Sequence, residues 1–166
     1  MTSKGGGCPL KCDGHGFWLG LVAGALLTYS HIGMIKAVAS KKKKVVRAPG
    51  NKAWRMSKWV KCGGVVRTQG LCGDFSKMPG SSVGQQTEEA LAALDAILKD
   101  AGVERKDLIA ITIFIADYKN DFEEMNKVYD AWVDKAGLPT RLCVQAGMGV
   151  AKVEVRAEAY CGEDDE

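Results

Sequence analysis

The chain has 166 residues, 46% of them hydrophobic and 26% charged, with a formal net charge of +3. That length accommodates one domain of ordinary size and a short appendage. The charge is divided, with eight Lys/Arg against Asp13 up to Gly50, giving +7, and 15 against 19 thereafter, giving −4, so a basic nucleic-acid surface on the folded part is not expected.

The six cysteines, Cys8, Cys12, Cys62, Cys72, Cys143 and Cys161, are too few and too scattered for a disulfide scaffold, and a reducing compartment is the default. Residues 1–13 read as a tail. From Gly14 to Ile35 the chain carries no formal charge, which meets the about 20 residues a membrane-crossing helix needs. Gly16, Gly20, Gly24 and Thr28 recur at every fourth position, placing small residues on one helical face where another helix can approach. The sequence therefore predicts a transmembrane helix within 14–40 and a basic linker over 41–54. A cleaved secretory signal would need its positive residues before the apolar run, whereas Lys36 and Lys41 to Lys44 follow it. An organellar transit peptide would be amphipathic and Arg-rich, and a Gly-rich helix buried in soluble protein is the remaining alternative. The lysines predict that the folded domain stays on the matrix, stromal or cytosolic side of the bilayer, with attraction to anionic headgroups. Cys8, Cys12 and His15 offer three zinc-type ligands where a structural site takes four, so no metal is predicted, and unmodified thiols or a Cys8–Cys12 disulfide are expected.

Further along, Met56 to Lys61 and Val65 to Gly70 flank Cys62-Gly63-Gly64 and predict a β-hairpin. Gly70 to Ser82 reads as loop. Ser82 and Gln85 form a capping-box pattern before Val83, Thr87, Leu91, Leu94 and Leu98, a helical stripe that stops at Gly102. Leu108 to Ile115 is apolar or β-branched at nearly every position, predicting a central strand buried on both faces. Asn120 and Glu123 signal a second helix, with Phe122, Met125, Tyr129 and Trp132 on its core face, ending at Gly137. After Pro139, Arg141 to Ala146 and Lys152 to Tyr160 predict two strands. In the second, Val153, Val155 and Ala157 point inward and Glu154, Arg156 and Glu158 outward. Residues 161–166 form an acidic tail. The order is ββαβαββ, an α+β sandwich with helices on one face of a mixed sheet. If the other face is apolar, it needs a partner.

An arginine and a carboxylate on successive strands, Arg141 and Glu154, can meet in one cleft. That pair would suit recognition of a small carboxylate and activation of a water. The segments GQQTEEALAALDAILKDAG, DLIAITIFIAD, DFEEMNKVYDAW and LPTRLCVQ followed by KVEV resemble the RidA (YjgF) family of reactive-intermediate imine deaminases over residues 55–160. The first strand, opening Arg-Met-Ser-Lys, is similar to a divergent branch of that family. The resemblance implies a chorismate-mutase-like sandwich forming a homotrimer or pseudo-trimer with clefts between subunits, and it implies no cofactor. It also implies that Arg141 pairs with the substrate carboxylate, that Glu154 and the Cys143 backbone place the attacking water, and that Asn126 belongs to the same site. Two positions depart from the pattern. Met56 stands where the deaminases have tyrosine, and Gln69 where they have a small residue before Gly70.

The plainer alternative for Arg141 is an ion pair with Glu154 or with a neighbouring subunit. Cys143 reads as a small core residue contributing its carbonyl, and no chemistry is assigned to Cys62 or Cys72. The primary functional expectation is a single-pass, membrane-anchored accessory or scaffold subunit of a mitochondrial or plastid inner-membrane complex. Its partners would be the bilayer and other subunits of that complex. The alternative is a 2-iminobutanoate/2-iminopropanoate deaminase, and the third is a small-carboxylate sensor.

Overall fold

The computed structural model describes residues 44–162. The predicted membrane helix with its stripe Gly16, Gly20, Gly24 and Thr28, and the residues Cys8, Cys12 and His15, lie outside them. Among the described residues no helix is long and apolar enough to cross a membrane.

One mixed sheet carries the architecture. Strands β1 (Val46–Arg47), β2 (Trp59–Cys62), β3 (Val65–Thr68), β7 (Val153–Tyr160), β5 (Leu108–Ile115) and β6 (Thr140–Gln145) follow in that spatial order, and the short β4 (Leu71–Cys72) also pairs with β7. All neighbours are antiparallel except β5 and β6. The β2–β3 hairpin turns at Gly63 and Gly64, with φ of 57° and 76°, and positive φ at both central residues is what a turn matching strand twist requires. Val46–Arg47 lies inside the span read as linker yet pairs with Val60 and Lys61. The run read as loop from Gly70 contains β4.

Helix α1 (Val83–Asp100) begins with the Ser82–Gln85 capping box that the sequence signals. Its far end closes through Gly102, at φ 75°, with Val103 N–H donating to the Leu98 carbonyl and Gly102 N–H to that of Lys99, a glycine-terminated C-cap. Helix α2 (Tyr118–Trp132) is capped by Asp117, whose carboxylate accepts from the Asn120 N–H. Asn120 is thus inside the first turn rather than the cap, because Asp117 supplies the acceptor three residues earlier. Nor does α2 reach Gly137. It stops at Trp132, whose carbonyl accepts from Arg105 Nη1 at 2.8 Å while its indole N–H donates to Asp95. A tertiary partner terminates this helix, and no local glycine or proline is needed.

Both helices cover one face of the sheet. Leu91, Leu94 and Leu98 of α1 and Met125 and Tyr129 of α2 share a buried cluster with Ile111, Ile113, Ile115, Val153, Val155 and Ala157. Strand β5 is therefore buried on one face only, since Ala110, Thr112 and Phe114 on its other face are half-buried. Its largely apolar sequence reflects a second, open face that, Thr112 apart, stays apolar, with Leu142 of β6 beside it 56% exposed. The inward and outward alternation read for β7 is present residue by residue.

Candidate functional site

Directly paired strand residues project to the same side of a sheet, so register assigns each side chain to a face. Arg141, Cys143 and Gln145 pair with Ile111, Ile113 and Ile115, which puts them on the helix-covered side. Glu154, Arg156 and Glu158 pair with Phe114, Thr112 and Ala110, on the open side. Arg141 and Glu154 are two strands apart and offset by three residues along the strands. At about 3.3 Å per residue and about 4.8 Å per strand their Cα positions are roughly 14 Å apart. The expectation that the two meet in one cleft does not hold within a single chain: the odd, three-residue offset between their partners Ile111 and Phe114 on β5 also places them on opposite faces.

The first half-site lies at the sheet edge, where among the described residues no strand pairs beyond β6. Arg141 extends along α2, over the Tyr129 ring with its guanidinium carbon 4.5 Å from the centroid, and within 5.9 Å of the Phe122 centroid. Its Nη2 donates to Asn126 Oδ1 at 2.5 Å and approaches Met125 Sδ at 3.6 Å. The helical spacing of Phe122, Met125, Asn126 and Tyr129 makes this platform, because residues three and four apart share a face. The ring faces and the amide hold the guanidinium while leaving it exposed, so its remaining N–H groups are free to bind an anion. Burial raises the Tyr129 phenol against the opposing effect of Arg141, so the ring beneath the cation stays neutral. Cys143 is half-buried against the core, and burial pushes its thiol up, opposed by Arg141. This is the behaviour expected of a packing residue rather than a nucleophile.

The second half-site is built where β3 hands over to β4. Thr68 is the last β3 residue, and its buried hydroxyl accepts from the Ala157 N–H at 3.0 Å and donates to the Gln69 carbonyl at 2.8 Å. That side chain fills the break in the ladder between the Arg67–Glu158 and Leu71–Val155 pairs. Gln69 donates its backbone N–H to Lys58, and Gly70 then lies against the Glu154 carboxylate. A Cβ at Gly70 would stand 1.9 Å from Glu154 Oε1, so only glycine fits without displacing the acid. On the other oxygen, the Cys72 thiol donates to Oε2 at 3.7 Å. Burial, and then the charge of Glu154, push that thiol up to about 11. Met56, ahead of β2, and Gln69, between β3 and β4, are each half-buried.

Thus Arg141, Asn126 and Cys143 gather in one half-site, and Glu154 in the other with Gly70. Cys72, to which the sequence assigned no chemistry, joins Glu154, and Tyr129, read as core alone, supports Arg141. Both could be found only by combining strand register with the Arg141 and Glu154 assignments.

A family model described as endoribonuclease L-PSP matches residues 41–161. The chain is 45% identical over 71 residues to the "RutC family protein YoaB" of Escherichia coli, covering 43% of this chain and 61% of that one. It thus spans about three fifths of that relative's length. It is 35% identical over 105 residues to the protein named "Putative reactive intermediate deaminase TdcF" of E. coli, over 60% of this chain and 80% of the other. Among solved structures, NMB1025 of Neisseria meningitidis, a YjgF protein family member, superposes with a TM-score of 0.65 at 26% identity. That superposition covers 72% of this chain and 97% of that one.

Proposed function

The chain belongs to the endoribonuclease L-PSP family, the RidA/YjgF group, and from that premise we propose that it hydrolyses small reactive 2-imino acids to 2-oxo acids and ammonia. The support for this reading is the pair of half-sites: a held but exposed arginine on β6, and a carboxylate seated on a glycine on β7. A fork-shaped guanidinium pairs with a carboxylate through two parallel hydrogen bonds, so Arg141 holds the substrate acid group with Asn126 fixing its orientation. Glu154 holds a water and takes one of its protons as the oxygen attacks the imine carbon. The C=N bond becomes a C–N single bond, the nitrogen is protonated, and ammonia leaves as the carbonyl forms. Because an imine is already electrophilic, positioning and one proton relay are the main requirements.

Since the half-sites lie on opposite faces of one sheet, the working site is composed across two subunits, Glu154 of one copy facing Arg141 of the next. The half-buried Phe114 and Val144 and the exposed Leu142 on the open face are suited to such packing. A trimer is the assembly the resemblance implies. Met56 cannot donate a hydrogen bond and Gln69 adds bulk beside Gly70, which favours the smallest substrates, such as 2-iminopropanoate. The test is ammonia release from enzymatically generated 2-aminoacrylate by the full chain and by Arg141→Ala. A fall of about a hundredfold, equivalent to about 2.7 kcal/mol of transition-state stabilisation, is expected. A rate indifferent to Arg141 overturns the reading.

The second reading is an anchored accessory subunit of a membrane complex. It is favoured by the uncharged run Gly14 to Ile35 and by the loss of a hydrogen-bonding side chain at Met56. Extraction of the chain from membranes by alkaline carbonate would overturn it.

A further inference from the structure

Strand β4 is two residues long and, among the described residues, pairs only with β7, through Leu71–Val155 and Cys72–Glu154. Leu71 is buried in the core, which anchors the strand, while Cys72 projects to the open face beside Glu154. The carboxylate is thereby held on both sides, Oε1 over Gly70 and Oε2 within 3.7 Å of the Cys72 sulfur. A nucleophilic cysteine would need a cation or a helix N-terminus to stabilise its thiolate. Cys72 instead has a carboxylate for a neighbour and is half-buried, so its thiol remains protonated at neutral pH. In that state the sulfur can donate a hydrogen and is a poor nucleophile.

We propose that Cys72 is a positioning residue for Glu154, its S–H holding one carboxylate oxygen so that the remaining acceptor sites stay aimed at the water of hydrolysis. The proposal rests on the reading of Glu154 as the water-holding group. An ionised carboxylate offers about four acceptor positions; the thiol occupies one and leaves the rest. An S–H donor is weak, so it fixes orientation without strongly neutralising the base.

The experiment has two arms, both on the full chain. In the first, alkylation of Cys72 by iodoacetamide at about pH 9 is followed by mass spectrometry in the wild type and in Glu154→Gln. Removing the adjacent charge lowers the cost of the thiolate, so Cys72 is expected to react at least about threefold faster in the variant, a tenfold change corresponding to one pKa unit. Equal rates overturn the contact. In the second arm, ammonia release is compared for Cys72→Val, which keeps an apolar side chain there, one heavy atom larger, and removes the donor, and for Cys72→Ser, which keeps a donor. The expected result is kcat lowered about tenfold with little change in KM for the valine form, and a serine form within about threefold of wild type. Turnover by Cys72→Val equal to wild type overturns the positioning role. If the wild type itself releases no ammonia, the deaminase reading fails and the positioning role falls with it. The alkylation rates then decide separately whether the thiol is coupled to Glu154.

Discussion

Arg141 and Glu154 stand on opposite faces of one sheet, and each is already seated on its own support: Arg141 on Asn126 and Tyr129, Glu154 on Gly70 and Cys72. Neither support belongs to the other's half-site. On the proposed reading, the two groups that act on one small molecule are prepared separately and meet only when a second copy of the chain is present.

That arrangement predicts complementation. Chains carrying Arg141→Ala and chains carrying Glu154→Gln should each be inactive alone. Mixed before assembly in equal amounts, they should recover activity, because a contact between unlike copies can pair an intact Glu154 half with an intact Arg141 half. In a closed ring with one site at each subunit contact, random mixing restores about one quarter of the sites. Ammonia release from the co-assembled mixture measures this fraction. A mixture as inactive as its components would show that both groups serve a site within one chain, or none.

The elements legible in the sequence are those whose signals are local. The Ser82–Gln85 box and the stripe through Leu98 locate α1, and the apolar run Leu108 to Ile115 is β5 to the residue. What escaped depends on contacts distant in the chain. Strand β4 has only two residues, too few for a period, and exists because β7 offers it a ladder. Helix α2 ends at Trp132 because Arg105 reaches its carbonyl from 27 residues away. The candidate site divides the same way. The residue types of Arg141 and Glu154 could be read, but their placement on opposite faces follows from the register of β6 and β7 on β5, where their partners Ile111 and Phe114 are three residues apart, and no local pattern shows that register.

Thr68 is the residue on which the handover from β3 to β4 depends. Replacement by valine keeps the shape but leaves the Ala157 N–H without its acceptor at a buried position, since the hydroxyl it used is 6% exposed in its residue. A buried donor left unmet costs about 1–3 kcal/mol. Urea denaturation of Thr68→Val should show that loss with an unchanged slope, and Thr68→Ser should recover most of it. A valine form within about 0.5 kcal/mol of wild type would show that water or a shifted backbone satisfies the Ala157 N–H.

Alkaline pH offers a test of the Cys72 environment that needs no substrate. The thiol has an ordinary value of 9.0 and is pushed up to about 11 in the folded chain, first by burial and then by Glu154. Below pH 9 both states keep the proton, and the group contributes no pH dependence. Between 9 and about 11 the unfolded chain has released a proton that the folded chain retains, so the unfolded state gains and stability falls as pH rises. Above that window both are ionised and the difference is constant. Serine does not titrate in this range, so wild type should lose stability relative to Cys72→Ser between about pH 9 and about pH 11, measured by urea unfolding under reducing conditions. Because the thiol is only half-buried, solvent screening keeps the loss below its full value. Glu154→Gln removes the second cause of the shift and should narrow the window from its upper end. Parallel stability curves for wild type and Cys72→Ser across that range would mean that the thiol meets water as freely in the folded chain as in the unfolded one.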